Sequence, residues 1–273
     1  KKYGVSLDEI EMDEWYDKLV NDSDIRKKEI NPRQMLTKIA QMQQESGYPY
    51  VVYIDTANRE HTLKDVGTIK MSNLCCEIFQ YQTPSEIEGY GGKNEWGQDI
   101  SCNLGSLNIA NVMDNKTIES TVETAIRALS FVADSTDIKP VPTVSNSNSK
   151  SHSIGLGAMN LHGYLVRENI LYTSDDAIDF SNVFFAMVRY YSIKASMKIA
   201  IEKNQTFEGF DKSEYAKGRN SKVLSKYYEQ SYLPKSEKVK ALFEGIYIPT
   251  KEDWTKLLDE VKEKGIYNAY LMA

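Results

Sequence analysis

Apolar residues recur at helical spacing in several parts of the chain, and each of these parts predicts a helix. The predicted helices are an exposed one between Leu7 and Lys28, then Pro32 to Ser46, Thr117 to Ser135, Asp175 to Lys203 and Thr250 to Lys264. Two of them have clear boundary signals. Asn31-Pro32 is typical of a helix start, and Thr250 with Asp253 forms a capping pair closed by Gly265.

Other segments predict strands and loops. Tyr48 to Asp55 is rich in β-branched and aromatic residues, which favours a strand. Asp99 to Val112 predicts a short strand or extended turn, and Ile266 to Ala273 predicts the start of an apolar strand. Lys139 to Lys150 is rich in Pro, Ser and Asn and predicts a loop. No internal repeat or clear domain linker is visible.

The stretch from Met71 to Ile78 brings an amide, a thiol and a carboxylate to alternate positions. In extended backbone, alternate side chains point to the same side. We therefore expect Asn73, Cys75 and Glu77 to share one face. On that expectation Leu74, Cys76 and Ile78 face the other way. A thiol between a hydrogen-bonding amide and a proton acceptor is a candidate catalytic group.

Composition narrows the class of protein. The chain has 273 residues and a formal net charge of -6, which gives no general attraction for nucleic acid. It lacks the run of about 18 apolar residues that a membrane span needs. Three cysteines are too few, and odd in number, for a disulfide framework. A reducing cytoplasm is therefore the expected location.

Each cysteine could be structural instead of catalytic, because a lone Cys is often a small buried hydrophobe. Burial is favoured for Cys76, whereas both interpretations stay open for Cys75 and for Cys102, which lies 27 positions after Cys75. Zinc binding is disfavoured because the ligand spacing is absent, so no metal site is expected. A Cys-dependent hydrolase would need a nearby His. His152 looks exposed or capping, and His162 looks like a packed core residue.

Several motifs, in order along the chain, resemble the large (alpha) subunit of class I ribonucleotide reductases. They are Ser72-Asn-Leu-Cys-Cys-Glu77, Asp99-Ile-Ser-Cys-Asn-Leu-Gly-Ser-Leu-Asn108, Ser153-Ile-Gly-Leu-Gly-Ala-Met-Asn-Leu-His-Gly163 and Gly265-Ile-Tyr-Asn-Ala-Tyr270. The Cys75 to Cys102 spacing favours the class Ib branch. Cys76 departs from the family pattern, in which Ser or an aliphatic residue is common.

The resemblance implies an α/β fold, in which residues 1–273 form part of a ten-stranded α/β barrel with a central finger loop carrying the catalytic cysteine. It implies reduction of ribonucleoside diphosphates to 2′-deoxyribonucleoside diphosphates. By the same resemblance Cys75 is the thiyl radical, Glu77 the base and Asn73 the binder of substrate hydroxyls. Leu74 and Cys76 complete the substrate-binding loop, and Cys102 is one half of a redox disulfide.

The resemblance also implies partners. A metal-containing small (beta) subunit supplies the radical, so no cofactor is expected in this segment. A thioredoxin- or glutaredoxin-type protein supplies reducing power, and the full-length subunit is expected to be a homodimer. Neither membrane nor direct nucleic-acid binding is expected. The partner of Cys102 and other family parts are expected outside this chain, so the segment alone is expected to be inactive. The alternative hypothesis is a non-catalytic scaffold or interaction protein that retains a remnant motif.

Overall fold

A computed structural model of the protein describes residues 2–7 and 10–273. The chain divides into two compact units. The first comprises residues 1–61 and 68–81, and the second comprises residues 62–67 and 82–273. Asp8 and Glu9, which belong to the first predicted helix, lie outside the described residues.

The helices of the first unit are α1 (Met12–Asn21), α2 (Pro32–Ser46) and α3 (Ile54–Glu60). Helix α2 confirms its prediction at both ends. The Asn31 side chain accepts a hydrogen bond from the backbone N–H of Gln34 at 3.1 Å, and Pro32 occupies the first turn. At the other end Gly47 takes a left-handed conformation with φ of 78°. Helix α1 is shorter than predicted.

The strand predicted from Tyr48 to Asp55 is wrong. Its last two residues begin helix α3, and the preceding residues adopt no regular structure. Tyr48, Tyr50 and Val51 are about half exposed. Strand propensity measures how well a side chain fits a pleated, half-buried surface. In the described part of the first unit no neighbouring strand offers that surface to this segment.

The second unit contains four short strands and nine helices among its described residues. The strands are β1 (Glu86–Ile87), β2 (Asn94–Glu95), β3 (Asn103–Asn108) and β4 (Ile154–Met159). The helices are α4 (Ile109–Asp114), α5 (Ile118–Ser135), α6 (Pro142–Ser151), α7 (Leu161–Arg167), α8 (Asp175–Lys203), α9 (Glu214–Lys217), α10 (Lys226–Glu229), α11 (Glu237–Leu242) and α12 (Lys251–Lys264). The fold is therefore of the α/β class, as predicted.

Strands β3 and β4 form a parallel pair in which Leu104 lies opposite Gly155. The predicted final strand does not form a named strand, but it meets β4 through an isolated bridge between Met272 and Leu156. The N–H groups of Ile154 and Leu156 donate to the carbonyls of Tyr270 and Leu271 at 3.0 and 2.9 Å. Strands β1 and β2 form a separate antiparallel pair. The residue that precedes β3, Cys102, is thus placed at the start of the parallel pair.

Helices α5 and α8 supply much of the core of the second unit. They run side by side in the same direction, as shown by ion pairs that recur every fourth residue along both helices. The pairs are Glu119–Lys194, Glu123–Lys198 and Arg127–Glu202, at 2.7, 2.6 and 2.7 Å. Both helices confirm their predictions. Among the described residues, no helix combines the length and the hydropathy that a bilayer-spanning segment requires.

Two expectations around α6 are wrong. The predicted loop from Lys139 to Lys150 contains helix α6, which begins at Pro142. Two of its buried polar side chains are hydrogen-bonded to residues before the helix: Ser151 accepts from Gln98 at 2.7 Å, and Asn148 accepts from Ser101. The closely spaced small residues of the apolar segment after His152 also suggest a helix packed tightly against a neighbour, but Ile154–Met159 is strand β4 instead. In both cases tertiary hydrogen bonds override local preference.

Candidate active site

The loop that carries Asn73, Cys75 and Glu77 is anchored at its start by helix α3. The Asn58 side chain accepts from the backbone N–H of Ile69 at 2.8 Å and donates to the Ile69 carbonyl at 3.0 Å. It also donates to the carbonyl of Ile54 in its own helix at 3.1 Å. One amide thus satisfies both backbone groups of a buried residue and ties the loop to the helix. Sequence reasoning missed Asn58, since nothing local marks it.

A tight turn, rather than an extended strand, presents the three candidate residues. Leu74 and Cys75 form the turn, and the backbone N–H of Cys76 donates to the Asn73 carbonyl at 3.0 Å. Cys76 has a φ of 59°, in the left-handed region. The expectation of alternating faces is therefore wrong, because a turn breaks the two-residue period of extended backbone. The Ser72 hydroxyl closes the loop by donating to the Ile78 carbonyl at 2.6 Å.

The turn sets different exposures for the side chains it carries. Cys75 is exposed and Leu74 is 76% exposed, whereas Cys76, Asn73 and Glu77 are half-buried. In the described part of the chain, the Glu77 Oε2 atom is buried and has no hydrogen-bond partner. Burial of an unpartnered carboxylate oxygen is unfavourable. The arrangement thus offers an accessible thiol and, two residues on, an unpaired proton acceptor.

The aromatic residues Tyr48 and Tyr50 lie in the same unit as this loop. Their rings are 5.1 Å apart between centroids. The pKa of Tyr50 is raised, first by the neighbouring Tyr48 and to a smaller extent by the Cys75 and Cys76 thiols. Both thiols are therefore close enough to the Tyr50 phenol to influence its pKa.

Cys102 belongs to the second unit and is half-buried directly before strand β3. The neighbouring Ser101 is buried and donates its hydroxyl to Asn148 of helix α6. No disulfide joins any of the three cysteines. The structure therefore brings Asn73, Cys75 and Glu77 together in one loop, whereas a common site for this loop and Cys102 stays a prediction.

The two histidines considered from the sequence occupy other surroundings than expected. His152 is a cap, but at the C-terminal end of α6 and not at a helix start, and it is buried rather than exposed. Its Nδ1–H donates to Asp134 at 2.9 Å, and Gln205 donates to its Nε2 at 3.2 Å. His162 is exposed in α7 and is not a core residue. Within the described part of the first unit, Cys75 has no hydrogen bond to a His, so the pair that a Cys-dependent hydrolase requires is not formed there.

Comparison with known proteins identifies the family. The chain belongs to the family described as "Ribonucleotide reductase, barrel domain", whose model matches residues 1–273. It is similar to the ribonucleoside-diphosphate reductase subunit alpha of Bacillus subtilis, with 47% identity over 270 residues. It is also similar to the protein of that name in Mycoplasma pneumoniae, with 40% identity over 276 residues, and in Chlamydia pneumoniae, with 28% over 284 residues.

These matches cover nearly all of this chain but only part of the relatives. The chain is covered to 99%, 100% and 99%, whereas the matched regions make up 38%, 38% and 24% of the three relatives. The segment thus corresponds to well under half of a reductase alpha subunit. The resemblance seen in the motifs is confirmed as a family membership.

Proposed function

We propose that this chain is part of the alpha subunit of a ribonucleoside-diphosphate reductase, which reduces ribonucleoside diphosphates to 2′-deoxyribonucleoside diphosphates. The names of the related proteins support this function. One structural observation carries it: the exposed thiol of Cys75 stands on a turn that also holds the unpaired carboxylate oxygen of Glu77. The scaffold hypothesis gives no reason for an unpaired buried carboxylate beside an accessible thiol.

In this proposal Cys75 carries the thiyl radical that removes the 3′ hydrogen of the ribose. The turn presents the sulfur away from the loop backbone, where a sugar can approach it. Glu77 accepts the proton of the 3′-hydroxyl, a role that needs a carboxylate within hydrogen-bond reach of that group. The unpartnered Oε2 of Glu77 leaves this acceptor available for a ligand.

Asn73 binds the substrate hydroxyls in this scheme. Its side-chain oxygen already accepts from the Ile78 N–H at 3.1 Å and lies 3.2 Å from the Ser72 hydroxyl oxygen. The Asn73 amide nitrogen has no partner among the described residues. Because that nitrogen can only donate, it suits the oxygen of a sugar hydroxyl. Leu74 and Cys76 shape the same loop around the substrate.

Cys102 supplies one thiol of the reducing pair, and its partner lies outside this chain. Loss of the 2′-hydroxyl as water consumes two electrons and two protons. Two thiols deliver them when they join as a disulfide, and a thioredoxin- or glutaredoxin-type protein reduces that disulfide again. A metal-containing small subunit generates the radical. We further propose that residues 1–273 form part of a ten-stranded α/β barrel with loop 68–81 as its finger loop, in a cytoplasmic, homodimeric full-length subunit.

The test uses the full-length native protein with its small subunit, a dithiol reductant and a ribonucleoside diphosphate. Cys75→Ser removes the sulfur but keeps the size and the turn, so turnover is expected to disappear while substrate binding at equilibrium stays unchanged. Full turnover by this variant would contradict the radical assignment. A wild-type protein that binds substrate and never turns it over would instead favour the scaffold hypothesis.

A further inference from the structure

Strand β4 carries a glycine where no side chain fits. Gly155 is buried and lies opposite Leu104 in the parallel pair. A Cβ atom added to Gly155 would be 2.6 Å from the Cys102 sulfur, 2.7 Å from Leu104 Cδ2 and 3.1 Å from the Ala273 Cβ. Ordinary contact between such atoms begins near 3.5 Å. A methyl group at this position therefore forces the thiol or the leucine to move.

The reason for this glycine is space and not backbone conformation. Its φ lies outside the left-handed region, so any residue could adopt the local backbone. Gly157, two residues further along the same strand, makes a useful contrast. A Cβ added there would meet only the Gly105 carbonyl and the Ser106 hydroxyl, at 3.8 and 3.9 Å. On this face of β4, the steric restriction falls at the position beside the sulfur.

The side chains around Gly155 differ in how easily they can be displaced. The Leu104 side chain is 58% exposed, so it can rotate away into solvent. Cys102 has a single side-chain torsion to its sulfur and is half-buried directly before the first paired residue of β3. A sulfur pushed from 2.6 Å to ordinary contact distance moves by about 1 Å.

We propose that Gly155 is a positioning residue for the Cys102 thiol, because its missing side chain leaves open the volume that the sulfur occupies. The inference rests on the proposed redox role of Cys102. Gly155 contributes no reacting group of its own, and it acts only through the placement of the neighbouring sulfur. A misplacement of about 1 Å can lower a rate by about 100-fold.

The experiment compares Gly155→Ala with the matched control Gly157→Ala in the full-length protein with its small subunit. Gly155→Ala is expected to lower kcat by about 100-fold with little change in KM, since the thiol moves and the substrate loop does not. Gly157→Ala should keep both constants. The alkylation rate of Cys102 by iodoacetamide, measured by peptide mass spectrometry against Cys75, should change only in Gly155→Ala.

A double variant separates sulfur placement from simple packing strain. Leu104→Ala in the Gly155→Ala background removes the leucine contact but leaves the sulfur contact. If Gly155→Ala lowers the melting temperature by crowding Leu104, the double variant should regain it, while kcat and the alkylation ratio stay altered. Recovery of all three would overturn the inference, because the glycine would then serve only the packing against Leu104.

The inference and the proposed function fail in different ways. If Cys102→Ser abolishes turnover while Gly155→Ala behaves like Gly157→Ala, the role of Gly155 is refuted and the proposed function stands. If Cys102→Ser retains full turnover, the redox role of Cys102 is refuted, and the positioning role of Gly155 in catalysis is refuted with it.

Discussion

The side-chain oxygen of Asn73 accepts a hydrogen bond from the backbone N–H of Ile78, with 3.1 Å between the two atoms. This bond spans the turn that carries Cys75 and holds the two ends of the turn together. The same residue therefore has two tasks in the proposed site. Its oxygen shapes the loop, and its amide nitrogen is left for the substrate.

Substitutions of Asn73 should separate these tasks. Asn73→Asp keeps an oxygen for the Ile78 N–H but removes the amide donor, so KM for the nucleotide should rise about tenfold, the effect of roughly 1.4 kcal/mol. Asn73→Ala also opens the loop and should lower kcat in addition. Hydrogen exchange of the Ile78 amide provides the check on the loop. Protection should persist in the Asp variant and vanish in the Ala variant, and equal protection in both would contradict the assignment.

Acid should destabilise the second unit through His152 and Asp134. Burial lowers the pKa of His152, and the hydrogen bond to Asp134 only partly offsets it. Burial would raise the pKa of Asp134, but hydrogen bonds from Lys203, Tyr267 and His152 bring it below its ordinary value. A lowered pKa in the folded state means that stability is complete above the unfolded-state pKa and is lost as pH falls through the folded one.

For His152 the loss of stability begins below about pH 6.5, and for Asp134 it follows at more acidic pH. The melting temperature should therefore fall between pH 7.5 and pH 5 in the wild type. His152→Gln should flatten this decline, because no buried imidazole is then left to protonate. His162→Gln is the matched control, since His162 is exposed, and it should keep the wild-type profile. A steep decline in His152→Gln would refute the attribution.

Helix α12 should depend on its capping box. The Thr250 hydroxyl accepts from the Asp253 N–H at 3.3 Å, and the Asp253 carboxylate accepts from the Thr250 N–H at 2.8 Å. Thr250→Ala should lower the free energy of unfolding by about 1 kcal/mol, as measured by urea denaturation. Thr255→Ala in the helix interior removes only a hydroxyl that donates to Lys251, so it should cost less. Equal losses would argue against the cap.

The buried side chain of Asn268 joins three parts of the second unit. Its oxygen accepts from Ser196 at 2.8 Å, and its amide donates to Ser130 at 2.9 Å and to the His152 carbonyl at 2.7 Å. Asn268→Leu leaves these groups unpaired in a dry interior and should lower the free energy of unfolding by about 2 kcal/mol or more. Asn115→Leu at an exposed position should change it by less than about 0.5 kcal/mol.

Local sequence signals were sufficient to predict helices α2, α8 and α12. Caps, proline and glycine placed the ends of α2 and α12, and a long apolar period gave α8 its full extent from Asp175 to Lys203. These helices are decided by interactions between residues at most four positions apart, which the sequence displays directly. The family motifs likewise depend only on residue order, so they identified the family before any coordinates.

Segments whose structure depends on distant partners could not be predicted in the same way. Tyr48 to Asp55 has strand propensity, but the described residues of its unit provide no strand beside it. Helix α6 forms from loop-like residues because Gln98 and Ser101 satisfy two of its buried polar side chains. The candidate loop shows the same division. Its residue types were evident from the sequence, whereas the turn that exposes Cys75 depends on hydrogen bonds closed by Ser72 and Asn73.

The sequence by itself determined the family, the scaffold helices and the identity of the candidate residues, because each of these depends on local patterns of residue types. Only the tertiary structure decided that the Cys75 motif is a turn, that His152 is buried against Asp134, and that Gly155 leaves room for the Cys102 sulfur. The physical reason is that His152 and Gly155 depend on hydrogen-bond partners and space contributed by residues far along the chain. The turn depends on a set of hydrogen bonds within residues 72–78 that the order of residue types does not display.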